Sequence, residues 1–188
     1  HDASFGYWNS PLIEAVAVVF MMLAGVSFML YFAAWRQRSL RVLWDNVEVR
    51  AFVGVVLASV VLISLFLRVN GVFPTYGEAL RHTVFHVVSL ATTTGYAAND
   101  YAQWPVFAPL LMILLGCFAT CAGSTGGGIK MVRMLLLVKQ SQRELVRIVH
   151  PNVVNPVVLG GQVITPKVMQ NVIAYMMIYG ATLVGLTM

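Results

Sequence analysis

The chain has 188 residues, of which 59% are hydrophobic and only 10% are charged. Soluble domains carry roughly a quarter charged residues, so this composition excludes an ordinary soluble protein and predicts an integral membrane protein. The net charge of +5 would point to nucleic acid in a soluble protein. Here the basic residues flank apolar segments, as they do when they orient membrane helices. We therefore expect contact with membrane lipid and no nucleic-acid partner.

Two apolar runs in the first half of the chain are long enough to cross a bilayer, which takes about 20 residues. The first extends from Leu12 to Trp35 and contains one acid, Glu14; the second extends from Val49 to Leu67. A basic, amphipathic link at residues 36–50 joins them. Because the chain starts without Met and ends within an apolar run, we expect it to be a piece of a longer protein.

A shorter helical segment follows at residues 75–91. Its apolar part is too short to span a bilayer, so the pattern predicts a re-entrant helix. Thr75 or Tyr76 is the predicted start, and Glu78 in the first turn favours the positive helix end.

The segment Thr92-Thr93-Thr94-Gly95-Tyr96 follows this helix, and we call it the filter segment. Hydroxyls, a glycine and a tyrosine suit irregular backbone that lies inside protein or along a water-filled path. One hypothesis is an ion filter, in which the carbonyls of an extended backbone replace the water around a cation. Gly95 would allow the backbone angles that this requires. The other hypothesis is an ordinary polar turn between two helices.

A second long apolar run starts at Trp104-Pro105 and reaches a stretch rich in glycine. We call this stretch, Gly123–Lys130, the glycine loop; its candidate gate residues are Gly123, Ser124, Thr125, Gly126, Gly127, Gly128 and Lys130. Each glycine costs about 1 kcal/mol inside a helix, so the helix is predicted to break here within the membrane. The spacing resembles a nucleotide-binding P-loop, but Ile129 stands where the lysine should be. A gate for the conducting path and a simple helix kink remain the two alternatives.

The last third of the chain is predicted to hold a charged segment, a hairpin and a further helix. Residues 139–150 are basic and amphipathic. Two short β-type runs on either side of Gly160-Gly161 predict a hairpin within residues 151–165. Pro166 then begins another apolar helix, residues 166–188.

The distribution of Lys and Arg predicts the orientation. Segment 36–50 has four such residues and segment 130–167 has six, whereas segment 68–104 has two. Basic segments stay on the cytosolic side, so the filter segment is predicted to open outward.

The remaining polar residues give weaker signals. Cys117 and Cys121 are predicted to lie on one helix face as buried thiols, since no His or acid nearby completes a metal site. His82 and His86 are predicted to pack and to hydrogen-bond. Asp100 is a candidate for the outer mouth, where it would enrich cations, although a lone acid is equally often a helix cap.

A faint internal repeat is visible, because Asp2, Trp8 and Pro11 parallel Asp100, Trp104 and Pro105. It predicts units of helix, re-entrant helix, irregular stretch and helix around a common axis. The predicted division is the end of one pore repeat (1–48), a complete repeat (49–147), a cytosolic loop (148–165) and the first helix of the next repeat (166–188). In the complete repeat we expect a pore helix at 75–91, the filter at 92–96 and a broken inner helix at 104–147.

These motifs resemble the Trk/Ktr/HKT superfamily of potassium transporters, most closely its TrkH family of membrane subunits. The residues that carry the resemblance are Ser89–Tyr96, Asp100 with Trp104-Pro105, Cys121–Lys130, and Arg143-Glu144-Leu145 through His150-Pro151.

The resemblance implies an all-α integral membrane fold in which four helix–pore-helix–helix repeats surround one pore, as in potassium channels. It implies that carbonyls around Thr93–Tyr96 line the filter and that the glycine loop gates it. It also implies a homodimer in the bacterial inner membrane and a cytosolic, TrkA-like nucleotide-binding regulatory subunit on the basic inner face.

We therefore expect potassium transport, with K⁺ as the transported ion and no tightly bound cofactor. Transport of Na⁺ or of monovalent cations without selection remains open, as does the choice between channel and symport. A scaffold subunit that conducts nothing is the alternative of another class. We do not expect an enzyme, because no acids, histidines or nucleophiles converge at one depth.

Overall fold

The computed structural model describes residues 4–150 and 155–187, so Asp2, Pro151 and the first part of the predicted hairpin segment lie outside the described residues. Within these ranges the chain forms eight α-helices and one two-stranded hairpin. The helices are α1 (Pro11–Ala24), α2 (Phe28–Gln37), α3 (Arg41–Asp45), α4 (Val47–Val69), α5 (Tyr76–Ala91), α6 (Phe107–Phe118), α7 (Met131–Val149) and α8 (Pro166–Thr187). The strands are β1 (Val158–Leu159) and β2 (Gln162–Val163), and short 3-10 turns cover Ser4–Tyr7 and Tyr101–Gln103.

Two of the described helices, α4 and α8, are long and apolar enough to cross a membrane on their own. Helices α1 and α2 meet this criterion only as a pair, and the pair is bent by 88°. The apolar run from Leu12 to Trp35 is therefore not one continuous helix. The run breaks at Gly25-Val26-Ser27, which we call the short break.

Tertiary packing explains the short break. Gly25 lies against α4 and the end of α5, so that a Cβ added there would approach the Phe52 ring to 2.7 Å and the Thr92 methyl to 3.3 Å. A single Gly in an apolar run is tolerated in membrane helices and gives no strong local stop signal. The bend is therefore a consequence of what packs against Gly25.

Helix α5 lies between α1, α4 and α6. It begins after Thr75, whose hydroxyl accepts a hydrogen bond from the Glu78 amide at 3.3 Å, as an N-cap residue does. Its 16 residues are too few to span a bilayer. One contiguous core joins α5 to its neighbours, and its fully buried large side chains include Phe52, Ile63, Leu67, Phe85, Met112 and Leu115.

The hairpin is present in the structure. Val158 pairs with Val163 and Leu159 with Gln162 in an antiparallel arrangement. The φ angles of Gly160 and Gly161 are 58° and 82°, and a two-residue turn of this type needs positive φ at both positions. A small second core formed by Leu136, Val157, Met169 and Val172 holds the hairpin region against α7 and α8.

Candidate functional site

The filter segment follows the C-terminal end of α5, and its amides bond back to that helix. The N–H groups of Thr94 and Gly95 donate to the Ser89 carbonyl at 2.9 and 3.3 Å, and the Thr93 N–H donates to the Leu90 carbonyl at 3.0 Å. Thr93 and Gly95 have positive φ angles of 57° and 79°. The segment is thus a tight, defined structure. Glycine adopts this conformation without the steric cost that other residues bear.

Hydroxyl groups brace the filter segment from within. The Thr92 hydroxyl donates to the Val88 carbonyl at 2.7 Å and lies 2.8 Å from the Thr94 hydroxyl. The Ser89 hydroxyl donates to the Tyr96 carbonyl at 2.7 Å. These bonds connect the first, third and last residues of the segment to one another or to the final turns of α5.

Four of the five carbonyls of the filter segment are left free in the described part of the chain, and the fifth, that of Tyr96, accepts from Ser89. Across the described residues, no N–H or O–H group donates to the main-chain oxygens of Thr92, Thr93, Thr94 or Gly95. They lie at the C-terminal end of α5, where the helix dipole is negative and favours a cation. Thr92 is buried, whereas Thr93, Thr94 and Gly95 are exposed, and free main-chain oxygens in such a place can replace part of the hydration shell of K⁺.

His86 holds the chain that leaves the filter segment. Its ring is fully buried, Nδ1 donates to the His82 carbonyl at 2.8 Å, and Nε2 lies 3.3 Å from the amides of Ala98 and Asn99. The same Nε2 is 3.1 Å from the Asn99 carbonyl. The prediction that His86 packs and hydrogen-bonds is confirmed. His82 stacks on Phe73 with ring centroids 5.2 Å apart, but its buried Nδ1 has no hydrogen-bond partner among the described residues, so only the packing part of the prediction holds for His82.

Residues near the start of the described chain pack against the same segment, which follows the filter. The Phe5 amide donates to the Ala97 carbonyl at 3.0 Å, and the Phe5 ring lies 4.9 Å from that of Tyr96. Gly6 is in such close contact that an added Cβ would be 2.5 Å from the Ala98 carbonyl oxygen. Residues before α1 therefore pack against the end of the filter segment and the residues that follow it.

Asp100, the candidate for the outer mouth, acts locally as a cap. Its carboxylate accepts hydrogen bonds from the Ala102 amide at 3.1 Å and from the Gln103 side chain at 3.0 Å. The residue is exposed. The geometry matches the capping alternative, and the outer-mouth role of Asp100 stays a prediction.

Glycine is required by the shape of the glycine loop at two positions in particular. Gly128 has a φ of 85°, and a Cβ there would approach the Cys117 carbonyl oxygen to 2.4 Å. A Cβ on Gly126 would come within 2.3 Å of the Thr120 methyl. The loop is thus folded tightly beneath the end of α6, and the Ile129 amide donates to the Cys117 carbonyl at 2.7 Å.

The filter segment and the glycine loop are in direct contact. The Gly127 amide donates to the Thr93 hydroxyl at 2.8 Å. The Thr120 hydroxyl donates to the Gly127 carbonyl at 3.1 Å, and the Lys130 ammonium group donates to the Gly126 carbonyl. The centre of the loop is therefore held by two hydroxyls and one ammonium group.

The first part of the glycine loop is joined to the short break. The Phe28 amide donates to the Gly123 carbonyl at 3.1 Å, and the Thr125 amide donates to the Ala24 carbonyl at 3.3 Å. Just before the loop, the Cys121 amide donates to the Gly25 carbonyl at 3.0 Å. The two broken helices thus satisfy each other's free main-chain groups, which a lipid environment would otherwise leave unpaired.

Two acids that the sequence analysis left without a role have defined partners. Glu14, 4% exposed, forms a bidentate ion pair with Arg81 of α5 at 2.7 and 2.8 Å. Glu48, at the start of α4, accepts main-chain hydrogen bonds from residues on both sides of the glycine loop. The sequence does contain a signal for Glu14, because an acid inside an apolar run needs a partner. The sequence around Glu48 carries no comparable signal.

The cysteines do not share a helix. Cys117 belongs to α6, whereas Cys121 lies beyond its last residue, Phe118, so the prediction of one helix face is wrong. Both are free thiols, and Cys121 is fully buried. In the described ranges no three His, Cys, Asp or Glu side chains are grouped as a metal site would require.

Comparison with known proteins adds evidence independent of the site. A family model described as "TrkH: Cation transport protein" matches residues 1–186. This chain belongs to the TrkH family. Among TrkH relatives, the Trk system potassium uptake protein TrkH of Salmonella typhimurium is 40% identical over 179 residues, which is 95% of this chain. The Trk system potassium uptake protein TrkG of Escherichia coli is 33% identical over the same share.

The fold agrees with a solved TrkH structure. The crystal structure of the potassium transporter TrkH from Vibrio parahaemolyticus matches with a TM-score of 0.93 at 34% identity over 98% of this chain. The chain spans 37% of the Salmonella protein and 40% of the Vibrio chain. The predicted all-α integral membrane fold, the resemblance to TrkH and the membrane location are confirmed.

Proposed function

We propose that this chain supplies one filter segment and the gate of a potassium transporter. Relatives that match 95% or more of the chain carry the name potassium uptake protein. The observation that carries the proposal is the set of free carbonyls at Thr92–Gly95 below the negative end of α5. One filter segment cannot surround an ion, so further segments would have to complete the ring.

The glycine loop is the proposed gate because it is tied directly to the filter segment. Its amide at Gly127 bonds to the Thr93 side chain, so that movement of the loop changes the surroundings of a filter residue. The bonds at its centre come from side chains, which can exchange partners at lower cost than packed backbone. Ion selection thus belongs to the filter segment, and control of passage belongs to the loop.

The basic face of α7 is the proposed contact for a cytosolic nucleotide-binding subunit of the TrkA type. Arg147 and the apolar side chains of Leu145 and Ile148 are exposed at the end of α7. Exposed apolar residues beside basic ones are typical of a surface that meets a partner. We also propose that the transporter is a homodimer and that it resides in the bacterial inner membrane.

A pair of glycine substitutions tests the filter. Gly95→Ala and Gly71→Ala each place a methyl group in open space at positive φ, 79° and 69° respectively. Both bear the same backbone strain, about 1–2 kcal/mol. In the full-length protein reconstituted in vesicles, we expect Gly95→Ala to lower the ratio of K⁺ to Na⁺ flux about tenfold or more, because the strain displaces filter carbonyls. Gly71→Ala should leave the ratio unchanged. If both variants keep the ratio, the filter assignment is wrong.

A pair of threonine substitutions tests the gate. Thr120→Val keeps the shape of the side chain but removes the donor to the Gly127 carbonyl, and because Gly127 is exposed the loss is about 1 kcal/mol. Thr120→Ser keeps the hydroxyl. We expect severalfold higher K⁺ flux from Thr120→Val in the protein purified without a regulatory subunit, and a much smaller rise from Thr120→Ser. Equal flux in the wild type and both variants would contradict a gating role for the loop.

A further inference from the structure

Glu48 reaches both ends of the glycine loop with one oxygen atom. Its Oε1 accepts a hydrogen bond from the Ala122 amide at 2.7 Å and another from the Val132 amide at 3.1 Å. Ala122 immediately precedes the loop, and Val132 lies in the first turn of α7 immediately after it. A single carboxylate therefore holds together two points that are far apart along the chain.

The carboxylate itself is held in place. Glu48 lies in the first turn of α4, and the Asn46 side chain caps that turn by accepting from the amides of Glu48 and Val49 at 2.9 and 3.2 Å. Such a cap fixes the direction in which the helix starts. The backbone position of Glu48 is thus set by the start of α4.

The start of α7 needs an acceptor from elsewhere. The residue at its N-cap is Lys130, with a φ of 77° and no side-chain cap bond. The first amides of a helix have no partner within it, and its N-terminal end favours negative charge. Glu48 supplies both the acceptor and the charge, and a hydrogen bond to an ionised acceptor is stronger than one between neutral groups.

We propose that Glu48 is a positioning residue that sets the resting conformation of the glycine loop by clamping its two ends. This inference rests on the proposed role of the loop as the gate. The clamp leaves the two parts of the loop unequal. Gly123–Thr125 is fixed by the clamp and the short break, whereas Gly126 and Gly127 are held by side chains and can move between the fixed ends.

Two substitutions at Glu48 and one matched control test the clamp. Glu48→Ala removes the acceptor, and Glu48→Gln keeps an oxygen in place without the charge. Asp45→Ala removes an exposed acid three positions earlier, whose carboxylate makes no hydrogen bond to the described residues. K⁺ and Na⁺ flux and the melting temperature are measured for each full-length protein, purified without a regulatory subunit. Thr120→Val is measured in the same series.

The clamp predicts a graded rise in resting K⁺ flux with an unchanged ratio of K⁺ to Na⁺, because Glu48 makes no hydrogen bond to the filter segment. We expect about tenfold for Glu48→Ala, severalfold for Glu48→Gln and no change for Asp45→Ala, given the strength of bonds to a charged acceptor. A purely structural role would lower the melting temperature and reduce flux without a rise, and that result overturns the proposal. If Glu48→Ala cannot be purified in folded form, the flux of Glu48→Gln decides.

The same series separates this inference from the proposed function. If Thr120→Val raises resting flux and neither Glu48 variant does, the loop is a gate and the clamp is wrong. If no variant raises it, the gate assignment itself fails and the clamp fails with it.

Discussion

The short break and the glycine loop interrupt two helices in different ways. The short break is three residues long, bends its helices by 88°, and is packed against Phe52 and Thr92. Twelve residues separate α6 from α7, the last eight of them being the glycine loop, and hydroxyls and an ammonium group hold the centre of the loop. The short break is held by packing against a ring and a methyl group, whereas the centre of the glycine loop is held largely by side-chain hydrogen bonds. This difference supports the proposed role of the glycine loop as the gate.

The two interruptions are nevertheless one structure, because each completes the hydrogen bonds of the other. Ala24 and Gly25 present free carbonyls at the end of α1, and amides around the start of the glycine loop donate to them. The short break therefore holds the start of the glycine loop in place through these main-chain hydrogen bonds.

The largest expected effect comes from Gly128→Ala. The added methyl group meets the Cys117 carbonyl, which is main chain and already accepts from Ile129, and φ is 85°. Strain and overpacking together should destabilise the protein by about 3 kcal/mol or more. Gly25→Ala meets a side chain at ordinary φ, so we expect about 1–3 kcal/mol.

Melting temperatures of the purified variants check this order. Gly54→Ala, on α4 with open space around it, is the control and should not lower the melting temperature. A larger loss for Gly25→Ala than for Gly128→Ala would contradict this order.

An intermediate effect is expected from Glu14→Ala, which tests how α1 is anchored above the short break. Removing one partner of a buried ion pair costs about 3–5 kcal/mol, and we expect about 2 kcal/mol here because the Arg81 side chain is 28% exposed. Glu78→Ala, an exposed acid on α5, should cost far less. Thermal unfolding of the two variants gives the comparison, and equal losses would mean that the pair does not anchor α1.

The smallest effect should come from Thr125→Val. The Thr125 hydroxyl donates to the Ala24 carbonyl at 3.2 Å, but the residue is exposed and its amide donates to the same oxygen. Loss of this one bond should cost about 0.5 kcal/mol and change resting K⁺ flux less than twofold. A change in flux as large as that of Thr120→Val would show that side chains, and not the main chain, join the loop to the short break.

Several elements could be predicted from the sequence because their signals are local. Thr75 and Glu78 marked the start of α5, Gly160-Gly161 marked the hairpin turn, and the cluster of glycines at 123–128 marked the break between α6 and α7. Each reflects a conformational preference of a few adjacent residues. The role of the filter segment as an ion site remains a prediction, since its free carbonyls support that role without an ion bound to them.

The sequence by itself determined that this is an integral membrane protein, because 59% of its residues are hydrophobic and they form runs long enough to cross a bilayer. The sequence also determined the break between α6 and α7, because four glycines within residues 123–128 cannot sustain a helix. Only the tertiary structure decided the bend at Gly25, the pairing of Glu14 with Arg81 and the clamp at Glu48. These depend on groups that lie from 27 to more than 80 positions apart, such as Gly25 with Phe52 and Glu48 with Val132. Their partners become known only when the helices pack.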